Sequence, residues 1–505
     1  MKNVLVSMLM NAFEGYILLS ALRIEQLEQE NCELKQQIKL VFKLLFEEVK
    51  QIKALSEQVI QMAAKIRDIE ARLSKNSQNS SKPPSTDGYH KPQPASRRGK
   101  SGKSSGGQLG HKGHTLNQVS MPDFIKTHQV SPCCAGCQGS LEGGESSYEL
   151  RQEFDIPPLK VQVTEHRVEV KECRACGYVN KGDAPIKSAT QYGKRVEALA
   201  MYLGQYQLLP FERSAQMFKD LFSLNLSQGT LANIYKRCHA QLSGFEETVK
   251  AQLRNADVAH FDESGVRIKK VLNWLHVASN EKLTYYHIDP KRGNEAMDRM
   301  EILPNFKGRA IHDHWKSYFQ YSCLHGLCNA HYLREFKYQA EEYQQSWCTK
   351  MTGLLLEMKQ AVEREVASGK SSLLEADCLS LEQRYDEILK MAILKEIPSS
   401  PKATGKRGRK KHHPAFNLWA RLIDHKKEVL AFMRDFRVPF TNNQGERDIR
   451  MIKVKQKISG CFRSDEGAQY FCRIRGFLST ASKQGRDILD SLIDACNGKP
   501  FIPNV

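Results

Sequence analysis

Negative charge is in short supply in this 505-residue sequence: 57 Asp and Glu stand against 75 Lys and Arg, a formal charge of +18 with a pI near 9.2. That balance points to a polyanionic partner. Long apolar stretches are lacking too. Lys2 precedes the apolar Val4 to Met10, but Asn11, Glu14 and Gly15 interrupt it, no small-x-small cleavage site follows, and no run of 18 apolar residues occurs. Neither a membrane span nor a secretion signal is expected. Cysteine is sparse for a disulfide scaffold, with 14 in the chain. Two pairs of them stand two residues apart, a spacing that favours metal and, with it, a reducing cytoplasm. What is present, 40% hydrophobic and 26% charged residues, excludes a wholly disordered, collagen-like or membrane-embedded chain. At roughly 150 residues per domain, three or four units are expected.

The first unit is helical. After an N-terminal segment (1–23), Ile24, Asn31, Ile38, Leu45, Ile52, Val59, Ile66 and Leu73 recur every seven residues across 24–75, with Leu27, Leu34, Val41, Glu48, Leu55, Met62 and Ile69 three residues later. Those are the a and d positions of a coiled coil, and Asn31 at a is a polar residue that fixes register and favours two strands. An amphipathic helix packed on its own domain is the alternative, since Phe42, Leu44 and Phe46 widen the stripe. Residues 76–118 are rich in Ser, Gly, Pro, Lys and Arg and poor in apolar residues, a composition that cannot fold alone. They read as a flexible basic linker, either touching phosphates or merely solvated.

Cys134 and Cys137, then Cys173 and Cys176, form two Cys-x2-Cys knuckles in 119–187, joined by a segment that alternates from Val161 to Val170. Four thiolates so placed are expected to make a zinc ribbon, with Cys133 beside the first knuckle leaving the ligand choice open by one residue and unligated reduced thiols as the alternative. A closed four-thiolate site leaves no open position, so its role is structure and DNA docking. Residues 188–256 read as helices, with Pro210-Phe211-Glu212-Arg213 opening one and Ser227 capping another. This pattern fits a helix-turn-helix, with Arg213 a DNA-contact candidate, and equally fits ordinary helical filler.

The period changes at Asp257. Val258 to Ile268, Trp274 to Ala278 and Thr284 to Ile288 read as three strands in hairpin order, followed by a helix from Asn294 to Leu303 and a fourth strand from Arg309 to Asp313. Such an order begins a ribonuclease-H-like sheet in 257–339. Its first and fourth strands are neighbours, which brings Asp262 and Asp313 together as hard oxygen ligands for Mg²⁺ or Mn²⁺. The third acid is Glu446, on a helix that Asn442 or Asn443 would cap, within the second catalytic segment (431–505). Arg447, Arg450, Lys453, Lys455 and Lys457 are expected to project positive charge beside it. Two metals held by three acids would clamp a phosphodiester during in-line displacement. Between the two catalytic segments, 340–430 reads as a helical insertion whose loop carries Lys406, Arg407, Arg409 and Lys410, placed to meet phosphate.

These motifs, together with Gly107-Gln108-Leu109-Gly110-His111, Asp262-Glu263-Ser264-Gly265, Trp274-Leu275-His276, Cys328-Asn329-Ala330-His331 and Asn442-Asn443-x-x-Glu446-Arg447, stand in one order from about 22 to 495. In that order the sequence resembles the IS66 family of bacterial insertion-sequence transposases. The resemblance implies DDE chemistry on DNA with Asp262, Asp313 and Glu446 as the triad, and a zinc-binding domain ahead of the catalytic one. The partners it implies are the element's terminal inverted repeats and target DNA, with accessory transposition proteins as further candidates. Ser264, where Thr is usual, and Lys455 to Ser464 depart from the commoner pattern and mark a subgroup, which puts the family's frequent dependence on accessory proteins in doubt. Cys328 and His331, with Arg334 one turn on, are candidate active-site support: a second zinc site completed by Cys323 and His325, or a packed thiol and a hydrogen-bonded ring. The expected fold is therefore multi-domain α+β: coiled coil, zinc ribbon, helical DNA-binding region and ribonuclease-H-like α/β domain with a helical insertion. Strand transfer needs two active sites held together, which makes a homo-oligomer paired through the coiled coil the expected assembly. The competing reading is a coiled-coil, zinc-ribbon DNA-binding protein, or a decayed transposase without cleavage activity.

Overall fold

The computed structural model describes residues 2–76, 79, 110, 115–186, 188–398 and 412–504. The chain is mixed α+β and divides into two compact units, Met1–Lys91 with Glu335–Ser346, and Pro92–Arg334 with Trp347–Val505.

The first unit is dominated by α1 (Lys2–Leu73), one helix of 72 residues. It does not break near residue 23. The heptad lines explain why: Met10 and Ile17 continue the series of Ile24, Val6 and Phe13 continue that of Leu27, and no proline intervenes. Its apolar stripe is uncovered, Leu27 being 49% and Ile38 48% exposed. One 18-residue window of α1 has a mean hydropathy of 1.6, so by length and composition alone this helix could cross a membrane, although no stretch is wholly apolar. At its C-terminal end the Tyr338 hydroxyl donates to the Ala71 carbonyl, and the Lys75 ammonium lies 4.7 Å over the Tyr338 ring.

In the second unit, the ribbon region holds a short antiparallel hairpin, β1 (Val170–Glu172) with β2 (Val179–Lys181). The alternation from Val161 does not become a strand before Val170, and Val161, Val163 and Val168 stay exposed because no second layer covers them. The helices α2 (Lys194–Met201), α3 (Phe211–Phe222), α4 (Gln228–Gln241) and α5 (Ser243–Arg254) follow. Ser227 caps α4 as expected, its hydroxyl accepting from the Thr230 amide at 3.0 Å.

The central sheet comprises β3 (Val258–Ile268), β4 (Val271–Ser279), β5 (Thr284–Asp289), β6 (Arg309–His312) and β7 (Leu324–Leu327), in the order β5-β4-β3-β6-β7. β3, β4 and β5 run antiparallel, while β3, β6 and β7 run parallel. α6 (Asn294–Met300) makes the crossover between β5 and β6. Apolar side chains on β3 alternate between two cores: Ala259 and Phe261 join the helical side with Phe477 and Ile474, and Val266 and Ile268 join Ile449, Ile452 and Phe471. Gly308 lets β6 enter this close to β3, since a β-carbon there would meet the Ala256 carbonyl oxygen at 2.2 Å.

The remaining helices are α7 (Asn329–Tyr343), α8 (Ser346–Ala367), α9 (Glu375–Lys395), α10 (Pro414–Asp424), α11 (Lys426–Val429), α12 (Ala431–Arg434), α13 (Asn443–Ser459), α14 (Asp465–Lys483) and α15 (Ile488–Cys496). α13 lies against β3 and β4, and α14 against β5. The basic loop with Lys406, Arg407, Arg409 and Lys410 lies outside the described residues, as does nearly all of the linker before residue 115.

Candidate active site

The parallel pairing of β3 with β6 sets the acidic pair. Val258 faces Arg309, Ala259 faces Ala310 and His260 faces Ile311, a constant offset of 309 − 258 = 51 residues. The same offset carries Asp262 level with Asp313, one residue past the end of β6. Asp313 thus stands just past the carboxyl end of β6, level with Asp262 in the middle of the neighbouring β3. Asp262 accepts from the Glu263 amide at 2.8 Å, and Asp313 from the Trp315 amide at 3.1 Å.

Glu446 reaches the same edge from the first turn of α13. Asn442 stands at the N-cap of that helix, but its side chain makes no cap. It is spent on β3 instead: the amide nitrogen donates to the Phe261 carbonyl at 2.8 Å, and the amide oxygen lies 2.7 Å from His260 Nδ1. The Asn442 backbone amide meets Cys328 Sγ at 3.1 Å. One residue therefore ties together β3, the β7–α7 turn and α13. Deeper along α13, Asp448 is buried against Lys483 of α14 at 2.7 Å, and its carbonyl accepts from Tyr286 at 2.8 Å. Sequence reasoning missed both anchors, because nothing in a helix pattern marks which polar residue faces a sheet.

The electrostatics separate the acids. Burial first, then the charges of Glu263, Asp313 and Glu446, hold the Asp262 carboxyl well above its ordinary range. Glu446 is shifted the opposite way, mainly by its hydrogen bond to His331 Nε2 at 3.3 Å and further by the charges of His331, Arg334 and Arg450. Arg334 approaches it at 3.9 Å. Glu263, absent from the sequence-based candidates, is raised by burial and by Asp313. It has cation and donor partners, with Arg292 at 2.6 Å and the Tyr318 hydroxyl at 2.5 Å. Arg292 is itself stacked on Trp315 and Trp274, 4.3 and 4.9 Å from their ring centres.

The basic face of α13 departs from expectation. Arg447, Arg450 and Lys457 are exposed, but Lys453 and Lys455 turn inward. Lys453 donates to the Gly265 carbonyl at 3.0 Å. Lys455 sits over Phe462 and Phe471 at 5.5 and 5.6 Å. For Lys453 the cause is helical, since positions 449, 452, 453 and 456 share the sheet-facing side, whereas Lys455 lies on the flank covered by Phe462 and Phe471. Arg213 is exposed on α3.

Cys328, His331 and Glu446 meet, their ligand atoms within 4.8 Å of one another. Cys323 and His325 do not join them; His325 pairs instead with His312 at 2.9 Å and with the Tyr321 carbonyl at 3.1 Å. At the ribbon, each knuckle is a tight turn, Gln138 N donating to Cys134 O at 2.9 Å and Gly177 N to Cys173 O at 2.8 Å. Backbone amides of 136 and 137 and of 175 and 176 point at the leading sulfurs, lowering the pKa of Cys134 and Cys173. These donor sets suit a metal-bound thiolate. The two knuckles are not gathered into one four-sulfur cluster among the described residues.

Residues 131–177 match the zinc-finger binding domain of transposase IS66, and 18–117 match a family of unknown function. No curated protein matches the chain. Residues 189–470, more than half the chain, match the family described as Transposase IS66 family. This span contains Asp262, Glu263, Asp313 and Glu446 and the whole of α13, and the chain belongs to the IS66 family of transposases.

Proposed function

We propose that this transposase cuts and joins DNA at the ends of its element through Asp262, Asp313 and Glu446, on a ribonuclease-H-like sheet. The strand order, with three antiparallel strands followed through a crossover helix by two parallel ones, supports the fold reading. The β3–β6 register that sets Asp262 level with Asp313 is the observation that carries the chemistry. The raised pKa of Asp262 supports it further, because carboxylates crowded without matching cations are what a divalent ion relieves. Mg²⁺ or Mn²⁺ on these acids would polarise the scissile phosphate and favour ionisation of the attacking hydroxyl.

The chain's own residues fix the rest. Asn442 and the Asp448–Lys483 pair hold α13 on the sheet, so that Glu446 stays at the edge. His331 and Arg334 keep it ionised. Arg447, Arg450 and Lys457 present positive charge along the exposed face of α13, where a DNA backbone would lie. Water serves as nucleophile for cleavage and a DNA 3′ hydroxyl for joining, with no covalent protein–DNA intermediate. The domain plan follows the sequence reading: α1 pairs two chains as a coiled coil, the ribbon at 119–187 holds Zn²⁺ and docks DNA with 188–256, and 340–430 is an insertion in the catalytic domain. The setting is the cytoplasm.

The test uses the DNA flanking the gene as substrate. Asp262→Asn, Asp313→Asn and Glu446→Gln each abolish cleavage and strand transfer, while end binding in a gel-shift assay persists. Normal cleavage by any one of them removes that residue from the site.

A further inference from the structure

Cys328 follows β7 directly, His331 stands in the first turn of α7 and Glu446 in the first turn of α13, and two chain segments thereby deliver a thiol, an imidazole and a carboxylate to one point. Their ligand atoms lie within 4.8 Å of one another, and no other three His, Cys, Asp or Glu groups gather so closely among the described residues. The arrangement is braced. The His331 amide donates to the Cys328 carbonyl at 3.2 Å, and the Asn442 amide reaches Cys328 Sγ at 3.1 Å. His331 Nε2 and Glu446 Oε1 are 3.3 Å apart. Bonds of about 2.0–2.3 Å to a tetrahedral ion place neighbouring ligand atoms roughly 3.3–3.7 Å apart, so a shift of about 1 Å closes the set.

We propose that Cys328, His331 and Glu446 bind a zinc ion, at a site separate from the four-cysteine ribbon. The donor chemistry selects the metal: thiolate and imidazole suit zinc, whereas magnesium takes an octahedron of oxygens. Three protein ligands leave a fourth position open to water or a phosphate oxygen, the pattern of reactive rather than purely structural zinc sites. Glu446 has two carboxylate oxygens, so serving this ion is compatible with serving the acidic edge. The zinc site itself does not require the cleavage reading; it only shares Glu446 with it.

Metal analysis of the full-length protein, purified without chelator, tests the proposal. The wild type should hold two equivalents of zinc, and Cys328→Ser and His331→Gln should each lose one. Replacing Cys134, Cys137, Cys173 and Cys176 together by Ser should leave one, and cobalt loaded into that variant should show thiolate-to-metal absorption that Cys328→Ser removes. A zinc content unchanged by both Cys328→Ser and His331→Gln overturns the site, and that comparison stands even where the ribbon variant fails to fold. In the overturned case His331 and Arg334 only orient Glu446. Asp262→Asn should keep both equivalents while losing cleavage, so a failed cleavage reading appears as an active Asp262→Asn whatever the zinc count.

Discussion

Replacing Asp262 by Asn should make the protein more stable when no divalent ion is present at the acidic edge. The reasoning begins with spacing. Neighbouring strands lie about 4.8 Å apart, and the β3–β6 register sets Asp262 level with Asp313. Two like charges about 5.5 Å apart at an effective dielectric of about 20 repel by about 3 kcal/mol. Asn keeps the acceptor for the Glu263 amide and removes the charge, so a gain of about 1–3 kcal/mol is expected in ion-free buffer. The pH dependence has a definite sign. Burial and the surrounding acids raise the folded-state pKa of Asp262 above its unfolded value, so the native state binds the proton more tightly. The group favours folding at low pH, and its penalty grows as pH rises from about 4 through the folded-state value. The gap between Asn and Asp should therefore close toward pH 4. Adding Mg²⁺ at about 100 times its Kd should stabilise the wild type by about 2.7 kcal/mol and the variant much less. A chain of several domains does not unfold in one step, so the assay is hydrogen exchange of the β3 amides in zinc-replete, magnesium-free protein. A destabilised ion-free Asp262→Asn, or a gap that ignores pH, would refute the reasoning.

Other expected outcomes concern the remaining parts. Cys134→Ser or Cys173→Ser should release the ribbon zinc and open 119–187 to protease, because closed thiolate sites contribute folding energy directly; equal metal content and protease resistance would count against the ribbon. Deleting residues 2–60 should lower the mass seen by light scattering, since the uncovered stripe of α1 is removed while the Ala71 contact to Tyr338 is kept; an unchanged oligomer would place pairing elsewhere. Gly308→Ala should cost about 3 kcal/mol, the upper part of the overpacking range, and abolish cleavage, because its β-carbon would collide with the Ala256 carbonyl and shift β6 against β3. Wild-type activity in that variant would show that the register tolerates the shift.

How much of this could be read beforehand depended on the element. The strands from 258 to 289 were legible because their alternation and short polar turns, Lys269-Lys270 and Asn280 to Lys282, are local, and the adjacency of the first and fourth followed from topology. β7 was not, since Leu324–Leu327 has four residues and no alternation to distinguish it from a loop. The segment set apart at 1–23 is continuous with the coil in α1, because the heptad lines run on to Val6. The alternation of Val161 to Val170 looked like a strand, yet alternation specifies one only where something covers a face. Lys453 and Lys455 were assigned outward for a similar reason: a helix's polar positions do not announce which side packs on a sheet.

The same distinction between local pattern and tertiary context explains the charge balance of the site. Four acids crowd one edge, and each could be neutralised by the chain. Glu263 has Arg292 and Tyr318, and Glu446 has His331 and Arg334. Asp262 and Asp313 make no ion pair among the described residues; each accepts only a backbone amide. Had the edge been built for stability, the exposed arginines of α13 would fold back on this pair, since truncating or withholding one partner of a buried charge costs several kcal/mol. Instead Arg447 and Arg450 point to solvent. On the proposed function these arginines would face the DNA backbone, and the two carboxylates without an ion pair are those that the strand register sets side by side. Like charges left adjacent are relieved by a cation between them, and exposed arginines along a helix attract an anion. On the proposed function, metal-loaded DNA would supply both.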